Sequence, residues 1–277
     1  MVYQILFCMF PGSKESYFLK QLFIMNLDEI KKRMDRLNGK SSGSSNGKDY
    51  KSVFWKPQEG ETNYVRIVPY KHNNDIPFTE LYFYFGIDKP RMISLTNFGE
   101  ADPIQEFINK LRKEGDDSNK ELAKKLYPKF RVFAPVVVRG EEDKGVRFCE
   151  FGKMVYQELL GVMMDEDWGD ITDLTKGHDI KVEKISAKES GKIYPVTTVR
   201  VKPKPSALSD DADQVQSFLD NQENITEFFT RFEYDDMKES LRKFINAGDD
   251  TEKEEINHTG KAPSTKQSIE DKLDDIF

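Results

Sequence analysis

Five cations and three aromatics, with no acid among them, lie between Lys124 and Arg139 in a chain whose net charge is -7. Read as a strand from Lys129 to Arg139, this stretch sends alternate side chains to opposite faces. Phe130, Val132, Ala134, Val136 and Val138 share one face, a stripe suited to a core. Lys129, Arg131, Phe133 and Arg139 share the other. Cations neutralise phosphates, and an aromatic set among them offers a plane on which an unpaired base can stack. Such a face suits a flexible polyanion with stackable bases.

The same alternation recurs. Val65 and Ile67 oppose Tyr64, Arg66 and Tyr70; Leu81, Phe83 and Phe85 oppose Tyr82 and Tyr84. Val146 and Phe148 oppose Arg147, Cys149 and Phe151, and Val199 and Val201 oppose Arg200 and Lys202. A single outward Tyr or Arg is ordinary surface. Aromatic and cation paired again on several strands is what points to a ligand. The candidate binding residues are Tyr64, Arg66, Tyr82, Tyr84, Lys129, Arg131, Phe133, Arg139, Arg147, Phe151, Lys153 and Arg200. Because the body of the chain is itself acidic, acids such as Asp210, Asp211, Asp213 and Glu239 are expected away from that face.

Other chemistries find no foothold. The histidines, His72, His178 and His258, are far apart, and Cys8 and Cys149 make neither a zinc spacing nor a disulfide framework. Glycine-rich phosphate loops, nucleophile elbows and paired carboxylates in a recognisable setting are missing from the sequence. No catalytic residue, metal or cofactor is nominated, and a non-enzyme is expected. No apolar run approaches the roughly 18 residues that would span a bilayer, and a reducing cytosol suits the cysteine usage. Met1 to Phe10 is apolar but runs into Pro11 with no small-residue cleavage site, so Met25 is the expected functional start.

The elements that must position these residues follow from periodicity. Leu27, Ile30, Met34 and Leu37 share one face of a short helix whose remainder carries Lys31, Lys32, Arg33 and Arg36. Asn38 to Lys48 is rich in Gly, Ser and Asn and reads as a tether. Strands are expected at 52–56, 63–70, 78–86, 91–95, 129–139, 146–151, 179–186 and 194–202. Helices are expected at 103–113, 118–126, 152–164 and throughout 211–246. Many short strands with helices inserted predict a mainly β chain with helices (α+β): an OB-fold-like barrel with an added helical subdomain. The expected organisation is 1–24 as an extended or non-native start, 25–48 as arm and linker, 49–248 as core and 249–277 as tail. That tail has nine acids against four cations and reads as disordered. Its tip, with Asp271, Asp274, Asp275, Ile276 and Phe277, reads as a partner-docking peptide.

In order and spacing these features resemble one family, the single-stranded-DNA-binding (helix-destabilising) proteins of T-even-type tailed phages and their cyanophage relatives. The resemblance runs from Met25 to Phe277. It rests on Met34-Asp35-Arg36-Leu37-Asn38-Gly39, Val65-Arg66-Ile67-Val68-Pro69 with Ile76-Pro77-Phe78, and Ala134-Pro135-Val136-Val137-Val138-Arg139. Phe151-Gly152-Lys153, Trp168 before Asp170-Ile171-Thr172, and the closing Leu273-Asp274-Asp275-Ile276-Phe277 complete it.

It implies an OB-fold core that binds single-stranded DNA cooperatively and without regard to sequence, in replication, recombination and repair. It also implies self-association along the strand through the basic arm, with Lys31, Lys32 and Arg33 as candidates. Phage replication and recombination proteins would dock on the acidic tail, in the cytoplasm of an infected bacterial host. The family's structural zinc, held by one His and three Cys, has no counterpart between Phe85 and Ile108. Packing of Phe98, Ile104, Phe107 and Ile108 is expected in its place. At Cys149 the family carries an aromatic, and Phe151 is the expected substitute. A virion or scaffold protein using the tail to dock, or an RNA binder using the same face, are the alternative readings.

Overall fold

In a computed structural model of the chain, residues 50–255 are described, Asn74 excepted, with side chains over residues 52–246. The segment before Met25, the basic arm with Lys31, Lys32 and Arg33, the tether, and the tail tip with Asp271, Asp274, Asp275, Ile276 and Phe277 lie outside the described residues. Among those described, a short helix α1 (Tyr50–Val53) leads into β1 (Phe54–Trp55), β2 (Thr62–Ile67), β3 (Thr79–Tyr84) and β4 (Met92–Ile93). Helices α2 (Pro103–Glu114) and α3 (Asp117–Leu126) follow, then β5 (Lys129–Val138), β6 (Arg147–Phe151) and α4 (Lys153–Met163). The chain continues through β7 (Ile180–Ile185), α5 (Ala187–Ser190), β8 (Val196–Val201), α6 (Ala212–Asp220) and α7 (Tyr234–Glu255).

The eight strands form one mixed sheet in the order β1-β6-β5-β2-β7-β8, with β3 also on β5 and β4 on β3. The class is α+β, as the patterning implies. Closure into a barrel, expected from the sequence, is not seen: the path ends at β1 and β8, which do not pair. The β1–β6 pair is parallel and the other pairs are antiparallel.

Strand β5 organises the sheet. One edge pairs β3 from Lys129 to Phe133 and then β2 from Val136 to Val138, while the other edge pairs β6. Pro135 sits where the partner changes. Its carbonyl accepts from Val68 N at 3.1 Å, so its missing N–H falls on the edge between β3 and β2. A proline in a central strand is tolerated there because no ladder bond is lost.

Both faces of this sheet are buried at its centre, which sequence alternation does not foresee. On one face Val65, Ile67, Val132, Ala134, Val136 and Val138 pack against Val155, Tyr156 and Leu159 of α4. On the other, Phe133, Phe83, Leu81 and Phe148 meet Ile225 with Phe228 and Phe229, and Val137 meets Leu208 and Phe218. The chain from about 206 to 229 therefore runs as a strap over the face that the sequence assigns to ligand.

Register also corrects two strands. Cys149 lies opposite Ala134 and Phe151 opposite Val132, so Arg147, Cys149 and Phe151 share the aliphatic face of β5 rather than opposing it. Leu81 and Phe83 lie opposite Arg131 and Lys129, on the cationic face.

Helix α2 starts because Asp102 caps it, accepting from Ile104 N and Gln105 N, with Pro103 in the first turn. It stops at Gly115, whose φ of 76° is the left-handed value favoured just beyond a helix end. Ile104, Phe107, Ile108 and Leu111, spaced to one side of the helix, pack with Ala123 and Leu126 of α3 and Met237 and Leu241 of α7. Helix α7 continues past Gly248, the expected end of the core, to Glu255.

These residues do not fit a zinc site of the kind the resemblance implies. Ile104, Phe107 and Ile108 are fully buried against Tyr84 and Met92, and Phe98 packs on the adjoining cluster. The one buried acid nearby, Asp102, is committed to its cap, to Ser94 Oγ at 2.6 Å and to Leu95 N at 2.9 Å. Among the described residues no group of His, Cys, Asp and Glu is placed to hold a metal.

Candidate nucleic-acid interface

Two of the nominated cations are structural. Arg66 of β2 is 1% exposed and donates through Nη2 to Asp179 Oδ1 at 3.0 Å and to Ser206 Oγ at 2.7 Å. The same Nη2 donates to Ser206 O at 3.0 Å, and Nη1 to Asp173 O at 3.3 Å. Arg139, one residue past β5, reaches the same Asp179 oxygen through Nε at 3.0 Å. Its Nη1 and Nη2 donate to Leu208 O at 2.6 Å and Ala207 O at 2.9 Å. Both arginines thus clamp the strap through carbonyls that burial would otherwise leave unpaired. Burial pulls the Arg66 guanidinium below its ordinary pKa, and the Asp179 carboxylate acts in the opposite sense. Glu142 and Asp210 border the same recess as Arg139, so one of the acids expected at a distance lies beside a nominated cation.

Four other nominated residues are inside the fold. Phe133 is fully buried, ringed by Phe54, Phe83 and Phe229 at centroid distances of 6.1, 6.1 and 5.3 Å. Phe151 packs in the opposite core. Tyr84 lies in the helical cluster, where desolvation first, and the Asp102 charge second, push its phenol pKa up. Arg147 is buried and donates to Glu141 Oε2 at 2.5 Å. None of these side chains presents a surface to a polymer arriving from solvent.

The rest are accessible, on separate parts of the sheet. Tyr64 of β2, Lys181 of β7 and Arg200 of β8 are aligned across three strands in register. Side chains in such a row face the same way. Lys202, two residues on from Arg200, places Nζ 4.0 Å from the Tyr64 ring centroid. Arg200 and Lys202 are exposed, and Glu183 pairs Lys181 at 2.7 Å. That pairing, with the hydrogen bond from Thr62, holds Glu183 below the ordinary carboxylate range.

A second accessible group sits where β3, β4, β5 and β6 meet. Arg91, just before β4, lies with its guanidinium carbon 3.8 Å from the Phe83 ring centroid and 5.5 Å from that of Phe85. Arg131 of β5 lies 5.6 Å from the Phe85 centroid. Phe85 itself is 37% exposed, and Lys129 opposite Phe83 is exposed. Between the two arginines stands Glu150 of β6, accepting from Arg91 Nη1 at 3.1 Å and paired with Arg131 Nε at 3.0 Å. An exposed ring flanked by two guanidinium groups can stack a base and hold its phosphate together.

On the opposite face Tyr82, 41% exposed, lies 5.3 Å from Phe130, which in turn lies 6.1 Å from Tyr156. Tyr156 donates its hydroxyl to Glu80 Oε1 at 2.7 Å. Lys153 is exposed at the first turn of α4. The sequence reading missed Phe85, Arg91 and Lys181. Alternation had placed Phe85 with the core, and Arg91, at the head of the strand expected over 91–95, was not nominated; it lies directly before β4.

A comparison with curated proteins finds no match. A family model described as "gp32 DNA binding protein like" matches residues 58–247, which is more than half of the chain and contains β2 to β8. With an α+β core and exposed aromatic–cation groups on its sheet, the chain belongs to the gp32-like family of DNA-binding proteins.

Proposed function

We propose that this chain binds single-stranded DNA, cooperatively and with little regard to sequence, in phage replication, recombination and repair inside the infected host. The observation that carries the reading is the exposed Phe85 ring between Arg91 and Arg131. A strand with unpaired bases can use both the plane and the charges; a duplex hides its base faces. The row of Tyr64, Lys181, Arg200 and Lys202 supplies a second contact of the same chemistry. Lys129 and Tyr82 extend the accessible set. In this reading Arg66, Arg139 and Phe133 act by holding the strap and core in place. The arm with Lys31, Lys32 and Arg33 serves contacts between neighbouring copies. The acidic tip with Ile276 and Phe277 recruits replication and recombination proteins.

The test is a fluorescence titration with matched single-stranded DNA, RNA and duplex over a salt series. Preference for single strands, with affinity falling by orders of magnitude between 50 and 500 mM salt, is the expected result for several phosphate contacts. Equal binding to duplex, or affinity flat with salt, would remove the reading. Tighter binding to RNA would reassign the ligand while keeping the site.

A further inference from the structure

Glu150 bridges the two arginines that flank Phe85. Its Oε2 accepts from Arg91 Nη1 at 3.1 Å while its Oε1 pairs with Arg131 Nε at 3.0 Å, so one carboxylate bridges two guanidinium groups. A phosphate presents the same arrangement of anionic oxygens to such a pair. The bridge is accessible from outside: the Arg91, Arg131 and Glu150 side chains are 23%, 36% and 20% exposed.

The Arg91 Nε and Nη2 are buried without a hydrogen-bond partner among the described residues, so Arg91 meets Glu150 through Nη1. Its plane is held by stacking, with Phe83 at 3.8 Å and Phe229 at 5.0 Å, and therefore does not depend on Glu150 for its position. Glu150 is fixed in register opposite Phe133, at the centre of the cationic face. The arrangement is a pre-positioned arginine pair with an internal anion seated on it.

From this we infer that Glu150 is a built-in competitor for the phosphate backbone, an intramolecular anion that DNA must displace from Arg91 and Arg131. The inference rests on the single-stranded-DNA reading of the same site. Displacement sets a threshold. A lone anion gains little by exchanging one carboxylate for one phosphate. A strand whose bases also stack on Phe85 gains enough to make the exchange, so the carboxylate screens against anions that cannot stack. No covalent step is involved.

The experiment compares wild type and Glu150→Gln in titrations with an oligo-dT single strand at fixed low salt, with circular-dichroism melting of each. Glu121→Gln, an exposed acid on α3, is the control for a simple change of net charge. Glu150→Gln is expected to bind about fivefold tighter, the scale of two partly exposed ion pairs, and Glu121→Gln to bind as wild type does. In an Arg131→Ala background the gain from Glu150→Gln is expected to shrink by at least half, since part of it is the release of that arginine. Should Glu150→Gln fail to fold, Glu150→Asp, which retracts the carboxylate by one methylene, carries the same comparison. Unchanged or weaker binding by the folded Glu150 variant, or a gain undiminished without Arg131, overturns the competitor role while leaving the DNA reading intact. If wild type itself binds no single strand, both fall together.

Discussion

Arg66 and Asp179 form an ion pair at 3.0 Å in which the arginine side chain is 1% exposed and the aspartate 12%. Arg139 joins the same carboxylate at 2.9 Å. One acid thus bridges two guanidinium groups, which also donate to the strap at Ser206, Ala207 and Leu208. Replacing Asp179 by Asn would leave the buried Arg66 charge without its anion, while Arg139, partly exposed, keeps Glu142 at 4.0 Å. The expected cost is about 3 kcal/mol of unfolding free energy, read from urea denaturation. Oligo-dT affinity at temperatures where the variant is folded should stay within about twofold of wild type. A large loss of affinity in a stable variant would return Arg66 and Arg139 to the ligand.

Gly177 lies against the same clamp. A Cβ added there would stand 2.3 Å from Asp173 O, 2.7 Å from Ile171 O and 2.9 Å from Arg66 Nη1. Two of those neighbours are backbone, so relief requires moving the chain. Gly177→Ala is expected to lower stability by about 2 kcal/mol or more, measured by thermal or chemical unfolding. A melting temperature equal to wild type would show that the 173–177 turn is loosely held.

Phe133 sits among Phe54, Phe83 and Phe229 with no exposed surface. Truncation to Ala opens a cavity in the core that carries the strap, at an expected cost of about 3–5 kcal/mol. The check is again denaturant unfolding. Retained stability with weakened DNA binding would mean that the ring leaves the core to meet the strand.

Cys149 is buried opposite Ala134, and burial pushes its thiol pKa well above the ordinary value. A raised thiol pKa means less thiolate at any given pH, and the thiolate is the reactive form. In a Cys8→Ser background the native protein is therefore expected to give almost no reaction with a thiol-specific chromophore at pH 8. One full equivalent should react in denaturant. Rapid native labelling would place Cys149 at an accessible surface.

How much of this was legible in sequence can be judged residue by residue. Alternation placed Tyr64, Arg200 and Lys202 on an accessible face correctly because their row is left open, while Arg66, two residues along the same strand, is covered. It misassigned Phe133 and Arg66 because the face they share is covered by the strap, a contact made by residues more than sixty positions away. It split β6 wrongly because alternation fixes which residues share a face but not which face meets the neighbour's core; that is set by register. The α2 boundaries were readable from Asp102, Pro103 and Gly115, which act locally. Phe85 and Arg91 were not, since their meeting depends on the β3–β4 pairing, and Arg91, expected to open a strand, falls just before β4.

The most direct measurement is the oligo-dT affinity of Phe85→Ala beside its melting temperature. Phe85 is partly exposed and stands between Arg91 and Arg131, so its loss removes a stacking plane and little core. An affinity lower by about tenfold or more, with stability changed by less than about 1 kcal/mol, is the predicted result. Wild-type affinity in a stably folded Phe85→Ala protein would contradict it, and would move the DNA path away from the Phe85 group.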